Sequence, residues 1–254
     1  MADRLFTDDY LAGVYDAWHP RAVRDDFDFY WPWMMAASSV LDVGCGTGMM
    51  LHALRDAGHA GRLCGLDPAE GMLQRARTRT DIEWVLGDLT ASAWEREFDL
   101  VVMTGHAFQA LVSDADVRDS LDAVRRALPA NGRFTFDTRN PAARAWEDWR
   151  PENAVDLTLP DGERVRITTE VTAPFNGDTV TFTHTFTGDN ARLPLASYSS
   201  LRFLDQQALT ERLARAGFRI EAQFGDWDGA PLGEDSPEII TIAVRATAGD
   251  ALGE

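Results

Sequence analysis

Four residues stand where their types and spacing suit chemistry. Asp42 sits within the apolar run Val40–Val43, immediately ahead of Gly44, Gly46 and Gly48. Asp67 and Asp88 follow the next two apolar runs, Arg62–Leu66 and Ile82–Leu86, and His106 follows a further one, Leu100–Met103. An acid leading into a glycine turn would repel a pyrophosphate and suits a cationic amino-acid group. An acid about 20 residues beyond such a turn can accept hydrogen bonds from both hydroxyls of a ribose. A third carboxylate beside a purine edge can accept from an exocyclic amine, with Leu89 on the ring face and Met72 against it from the preceding helix. A histidine titrates near neutral pH, so His106 can take a proton from an attacking nitrogen or oxygen. Each has a plainer role. Asp67 caps a helix well with Pro68 at its first position; Asp88 suits a turn, Met72 a core, and His106 a packed ring.

The glycines narrow the ligand. Glycine admits positive φ and lets a ligand approach backbone N–H groups, and the helix start behind the turn carries unpaired donors. The dinucleotide fingerprint G-x-G-x-x-G needs a third glycine where this chain has Met49, and no G-x-x-x-x-G-K-[ST] is present. A nicotinamide-dependent oxidoreductase and a phosphate-cradling loop are thereby set aside. What remains is a nucleoside held at ribose and base.

The elements that must position these residues alternate. Strands are predicted at Val40–Val43, Arg62–Leu66, Ile82–Leu86, Leu100–Met103 and Gly132–Asp137, with helices near 49–57, 69–79 and 114–128. That alternation predicts an α/β fold with a doubly wound parallel sheet, whose ligands bind beyond the carboxyl ends of the strands. Residues 1–38 are rich in aromatics and predict two helices parted at His19-Pro20, forming a lid over the 39–150 core or packing onto it. Tyr10, Tyr15 and Tyr30 are the rings expected to face ligand. Residues 151–204 break the alternation with extended runs at Glu163–Pro174, Thr179–Phe186 and Ala196–Leu204, read as an inserted antiparallel sheet with a turn at Asn176-Gly177-Asp178. Helix returns at Asp205–Gly217, and Phe218–Phe224 and Glu238–Val244 complete the core over 205–247, leaving a tail at 248–254. Arg139, just after the fifth strand, can clamp a substrate carboxylate or pair with a nearby acid. His19, His52, His59 and His184 are placed less favourably, and no His/Cys/carboxylate cluster suggests a metal.

Composition bounds the rest. With 254 residues and 45% hydrophobic content the chain can build one large core with a subdomain. A formal charge of -17 and no Lys/Arg run speak against a nucleic-acid partner. Two cysteines, Cys45 and Cys64, make no disulfide framework. No apolar run reaches the length of a membrane span, and the acidic start MADRLFTDDY lacks an apolar leader. A reducing cytoplasm is the expected setting.

VLDVGCGTG, GLDPAEGML, LGDL, FDLVVMTGHAF and LPANGRFTFD occur in the order and spacing of the class I S-adenosylmethionine (SAM) methyltransferases, which this chain resembles over most of its length. The resemblance implies a Rossmann-like seven-stranded sheet with its last strand antiparallel, and SAM as cofactor. It implies that the glycine turn, Gly44, Gly46 and Gly48 with Asp42 and Cys45, holds the methionine part, that Asp67 binds ribose and that Asp88 approaches adenine. Tyr15, Pro68, Met72, Leu89, Met103 and Thr104 would also touch the cofactor. The aromatic N-terminal helices and the inserted sheet resemble small-molecule members such as glycine and amino-sugar N-methyltransferases. The expectation is methyl transfer to nitrogen or oxygen of a small molecule, with His106 as base and Tyr10, Tyr30 and Arg139 against the acceptor. RNA or protein methylation and a non-catalytic SAM-binding module are the alternatives. Absence of an NPPY-like tetrapeptide after the fourth strand lowers amide or adenine-amine methylation. Oligomeric state is open.

Overall fold

The computed structural model describes residues 3–246; the expected tail at 248–254 lies outside them. In chain order the elements are α1 (Arg4–Thr7), α2 (Asp9–Trp18), α3 (Asp26–Ala36), β1 (Ser39–Val43), α4 (Met49–Asp56), β2 (Arg62–Asp67), α5 (Glu70–Ala76), β3 (Glu83–Leu86), β4 (Leu100–Met103), α6 (Asp114–Ala127), β5 (Arg133–Arg139), β6 (Val155–Thr158), β7 (Arg164–Ala173), β8 (Thr179–Gly188), β9 (Leu195–Arg202), α7 (Gln206–Arg215), β10 (Phe218–Phe224) and β11 (Glu238–Arg245).

Seven strands form one sheet in the order β10-β11-β5-β4-β1-β2-β3. The pairs β1–β2, β1–β4, β2–β3 and β4–β5 are parallel, while β11 runs antiparallel between β5 and β10. The central strands read as continuous apolar runs because both faces are covered, as parallel sheets require. On one face Leu41, Val101, Phe134 and Ile239 meet Val117, Leu121 and Val124 of α6 and Leu209 and Leu213 of α7. On the other, Val40, Leu63, Val102 and Ile240 meet Phe27, Tyr30 and Met34 of α3 and Leu51 and Leu54 of α4. The chain leaves β1 toward β2 on one side and returns through β4 on the other. This reversal opens a crevice at the carboxyl ends of the strands.

Strands β6 to β9 form a separate four-stranded antiparallel sheet. Three of its strands were expected; β6 is too short, and too isolated among three single-turn helices over 141–153, to read as a strand from its sequence. Helices α1 and α2 are wedged between the two sheets. Leu11 and Val14 pack with Val165, Ile167 and Phe186 of the inserted sheet, and Ala12 packs with Met72 of α5 and with Ala69 just ahead of it. The Leu5 N–H donates to Ser197 Oγ at 2.8 Å, and the Thr47 hydroxyl donates to Asp16 Oδ1 at 2.6 Å. The N-terminal aromatics therefore divide. Phe6, Tyr15 and Trp18 face the crevice, whereas α3 is a layer helix beneath the sheet rather than part of a lid. No described helix is long and apolar enough to cross a membrane.

Candidate active site

The carboxyl ends of β1 to β5 open on a cavity of about 730 Å³, within the size range of small-molecule sites. At the end of the cavity formed by β1 to β3 the turn after β1 is tied to β2, since the Gly44 and Cys45 N–H groups both donate to the Leu66 carbonyl at 2.8 and 3.2 Å. Gly44, Gly46 and Gly48 all take positive φ. A Cβ on Gly48 would lie 2.4 Å from the Trp84 ring, whereas one on Gly46 would meet nothing within 4 Å. Asp67 Oδ2 accepts the Gly46 N–H and Oδ1 the Ala69 N–H, each at 2.8 Å. The capping and ligand readings of Asp67 are therefore compatible, because each oxygen keeps a free lone pair. Burial raises its pKa, and the two N–H groups oppose the shift. Asp88 is exposed; its Oδ1 accepts from Thr90 and Ala91 N–H at 2.9 and 3.2 Å, which leaves Oδ2 without a protein partner.

Asp42 is 1% exposed and its Oδ1 has no hydrogen-bond partner. Burial pushes its pKa up to about 7, with Arg24 opposing and Asp67 adding to the shift. Arg24 reaches the same place from the N-terminal segment. It forms a two-point ion pair with Asp26 and lies 3.1 Å from where a Cβ on Gly105 would stand.

His106 lies beyond β4 in a left-handed conformation, φ 65°, uncommon for a residue with a side chain. Two acids hold it there. Its N–H donates to Asp137 Oδ2 at 2.6 Å, and its Nε2 faces both Glu238 oxygens at 3.0 Å. Asp137 also accepts the Tyr30 hydroxyl at 2.8 Å. Burial drives this group toward its uncharged forms. His106 falls to about 3, while Asp137 rises to about 6 and Glu238 to about 8. Nδ1 of His106 has no partner among the described residues, and the ring lines the cavity.

The far wall is aromatic and comes from separate segments: Trp18 and His19 from the N-terminal region, Trp149, Phe182 and His184 from the insert and its approach, and Trp227 from the β10–β11 connection. Trp18 stacks on His19 at 4.6 Å and meets His184 edge-on at 5.0 Å. Burial lowers both histidines to about 4, so they present neutral rings. Arg139 lies over Trp149 at 5.5 Å and donates through Nη1 to Gln109 Oε1 at 3.0 Å.

Of the residues singled out from sequence, Tyr15, Asp42, Gly44, Cys45, Gly46, Asp67, Pro68, Met72, Asp88, Leu89, Met103, Thr104, His106 and Arg139 line this one cavity. Gly48 stands behind the turn against Trp84. Tyr10 and Tyr30 are corrections. The Tyr10 hydroxyl is bonded to Glu163 of the inserted sheet, and Tyr30 is fully buried under the main sheet on Asp137. Neither lines the cavity, because each ring lies on the helix face that packs against a sheet. His19 and His184, ranked low from sequence, also line it, and Arg24, Asp137, Trp149, Trp227 and Glu238 were missed. Two had a legible signal: Asp137 closes the run Phe134–Phe136 within β5, and Glu238 begins β11.

The methyltransferase domain family matches residues 40–132. The cypemycin N-terminal methyltransferase of Streptomyces sp is 27% identical over 212 residues, spanning 82% of this chain and 83% of that protein. Among solved structures, a sugar N-methyltransferase from Streptoalloteichus sp superposes with a TM-score of 0.71 at 19% identity, covering 94% of this chain and 93% of the other. An amino pentose methyltransferase from Micromonospora echinaspora, solved with SAM bound, has a TM-score of 0.65 at 21% identity and covers 92% and 94%. Residues 40–132 thus carry a methyltransferase domain, in a chain with the fold of SAM-dependent methyltransferases. It is a methyltransferase, and SAM is its cofactor.

The residues present fit that cofactor. Asp42 is a buried acid without a compensating partner beside the glycine turn, and an α-ammonium would supply the missing charge. Free carboxylate lone pairs follow at Asp67 and Asp88, one strand further each, where ribose and base would lie.

Proposed function

We propose that this enzyme methylates a nitrogen or oxygen of a small organic acceptor. One observation carries the reading: the cavity continues from the strand ends of β1 to β3, past His106 at β4, into an aromatic chamber lined by β5 and the inserted sheet. The acceptor's place is then one strand beyond the transfer position, about 5 Å away. The acidic balance of the chain favours a small acceptor over nucleic acid, and the likeness to a sugar N-methyltransferase supports the same class. The two free thiols suit a reducing compartment such as the cytoplasm.

When bound, SAM supplies a methyl on a sulfonium with an already activated leaving group, so in-line positioning provides much of the acceleration. Asp67 and Asp88 orient the nucleoside, and the glycine turn with Asp42 and Arg24 orients the amino acid. Tyr15 and Trp18 exclude water from above. His106 removes the acceptor proton at Nδ1 while ionised Glu238 accepts the Nε2 proton and holds the ring. An imidazole kept neutral by burial is in the form that a base requires.

A peptide N-terminal amine is the second reading, favoured by the likeness to the cypemycin enzyme. Incubation with SAM and a metabolite extract, read as a 14 Da mass shift (one CH₂ gained), with a short-peptide pool in parallel, separates the two. Labelling of peptides alone would overturn the small-molecule assignment. Calorimetry should show one SAM per chain, and absence of binding would overturn the cofactor assignments above.

A further inference from the structure

Arg139 stands apart from the other cations of the cavity. Arg24 is neutralised by Asp26, whereas no carboxylate among the described residues lies within 4.0 Å of Arg139. Its cross-strand partner is Glu238, but Glu238 turns both oxygens to His106. Asp137, two residues back on β5, is taken by Tyr30 and the His106 N–H. Arg139 is nonetheless fixed. Gln109 is 1% exposed, donates to the Arg202 carbonyl at 2.9 Å, and offers its Oε1 to Arg139 Nη1. Trp149 supports the guanidinium plane. Nε and Nη2 have no protein partner and are accessible to solvent, so they open on the cavity that Arg139 lines. A half-buried guanidinium with no carboxylate within 4.0 Å is left to take its counter-ion from the cavity. A planar fork with two parallel N–H groups facing a ligand space fits a carboxylate.

Position tells whose carboxylate it is. Along the strand ends the order runs Asp88, Asp67, glycine turn, His106, Arg139, following β3, β2, β1, β4 and β5. Arg139 therefore lies on the far side of the transfer loop from the ribose acid, while Arg24, paired with Asp26 and set against Gly105, stands at that loop itself. We propose that the acceptor is a small aromatic or planar acid whose carboxylate docks on the Arg139 fork, placing its amino or hydroxyl group at His106. The neutral rings of Trp18, His19 and His184 suit the body of such a molecule. The inference rests on the small-molecule reading above and names its substrate class.

The test uses the full chain and two binding measurements. First, S-adenosylhomocysteine is titrated calorimetrically into wild type, Arg139→Gln and Arg139→Lys. Second, each protein saturated with it is titrated, by tryptophan fluorescence, with a panel of aromatic amino and hydroxy acids, beginning with anthranilate and salicylate, each beside its primary amide. In wild type at least one acid should bind tenfold or more tightly than its amide. Arg139→Gln should abolish that preference with S-adenosylhomocysteine affinity unchanged within threefold, and Arg139→Lys, which keeps charge without the fork, should retain part of it. Equal affinity for acids and amides, no acid binding, or a preference surviving in Arg139→Gln would overturn the proposal. So would tenfold weaker S-adenosylhomocysteine binding by a folded Arg139→Lys, which would assign the arginine to the methionine carboxylate. Loss of S-adenosylhomocysteine binding by wild type would instead strike the cofactor assignments.

Discussion

The two halves of the cleft are built on different principles. The half proposed for the cofactor is made by backbone and strand ends. A glycine turn and acids that finish successive parallel strands arise within about fifty residues, so their relative placement follows from sheet geometry. The acceptor half is assembled from side chains of four distant segments, and its order depends on how α1 and α2 dock between two sheets. A site of the first kind serves any member of a fold with one shared ligand. A site of the second kind can change acceptor by altering walls without touching the donor.

His106 sits at the seam and should separate the halves most sharply. His106→Gln should lower kcat by about 10²–10⁴, the usual worth of a positioned base, while SAM affinity measured calorimetrically stays unchanged. Equal losses in both would place His106 in the cofactor half. Next comes Asp67→Ala. Loss of two hydrogen bonds to a charged group, at about 1.5–3 kcal/mol each and only partly independent, should weaken SAM about 30- to 1,000-fold. Acceptor binding to whatever complex forms should be little altered. A loss below fivefold would break the claim that strand-end acids dominate the donor half.

How much of each half could be read from sequence follows the same division. Asp42 sits within one apolar run and Asp67 and Asp88 follow the next two, so strand and acid announce one another, and helix and strand bounds over 39–139 fall within a few residues of those expected. Trp149, His184 and Trp227 have no such syntax. Nothing in local periodicity says that residues 78 apart, Trp149 and Trp227, border one cavity. Tyr10 and Tyr30 show the converse failure. Helical spacing says which face a ring is on but not which of two sheets that face meets.

Glu238 offers a smaller test through pH. Burial raises it to about 8, with Arg139 opposing and Asp226 and Asp26 adding to the shift. Below that pH it is protonated and donates to Nε2, which leaves the proton on Nδ1 and the base blocked. Turnover at saturating substrates should therefore climb as pH rises through about 8, and Glu238→Gln should remove that limb while lowering kcat roughly tenfold. Stability runs the other way. A carboxyl whose folded pKa is raised contributes stability that is complete below its unfolded value and lost as pH rises through the folded one. The wild-type melting temperature should fall as pH is raised from 4.5 to about 8 and level off above it, and Glu238→Gln should flatten that fall. A rate limb that persists in the variant would take Glu238 out of the proton path.

The smallest expected effect concerns how the acceptor wall is anchored. The Tyr10 hydroxyl meets Glu163, and Asn190 donates to the other oxygen of that carboxylate at 2.8 Å. Both lie at the outer side of α2, away from the cavity. Tyr10→Phe removes one hydrogen bond to a charged acceptor at a partly buried site. The cost is about 1 kcal/mol after allowance for solvent, or about 2–4 °C in melting temperature for a domain of this size. Because the ring itself stays in the α2–insert contact, KM for the acceptor and SAM affinity should both stay within twofold. A tenfold rise in acceptor KM with unchanged stability would return Tyr10 to the binding surface. It would also show that the inserted sheet opens far enough for substrate to pass beneath α2.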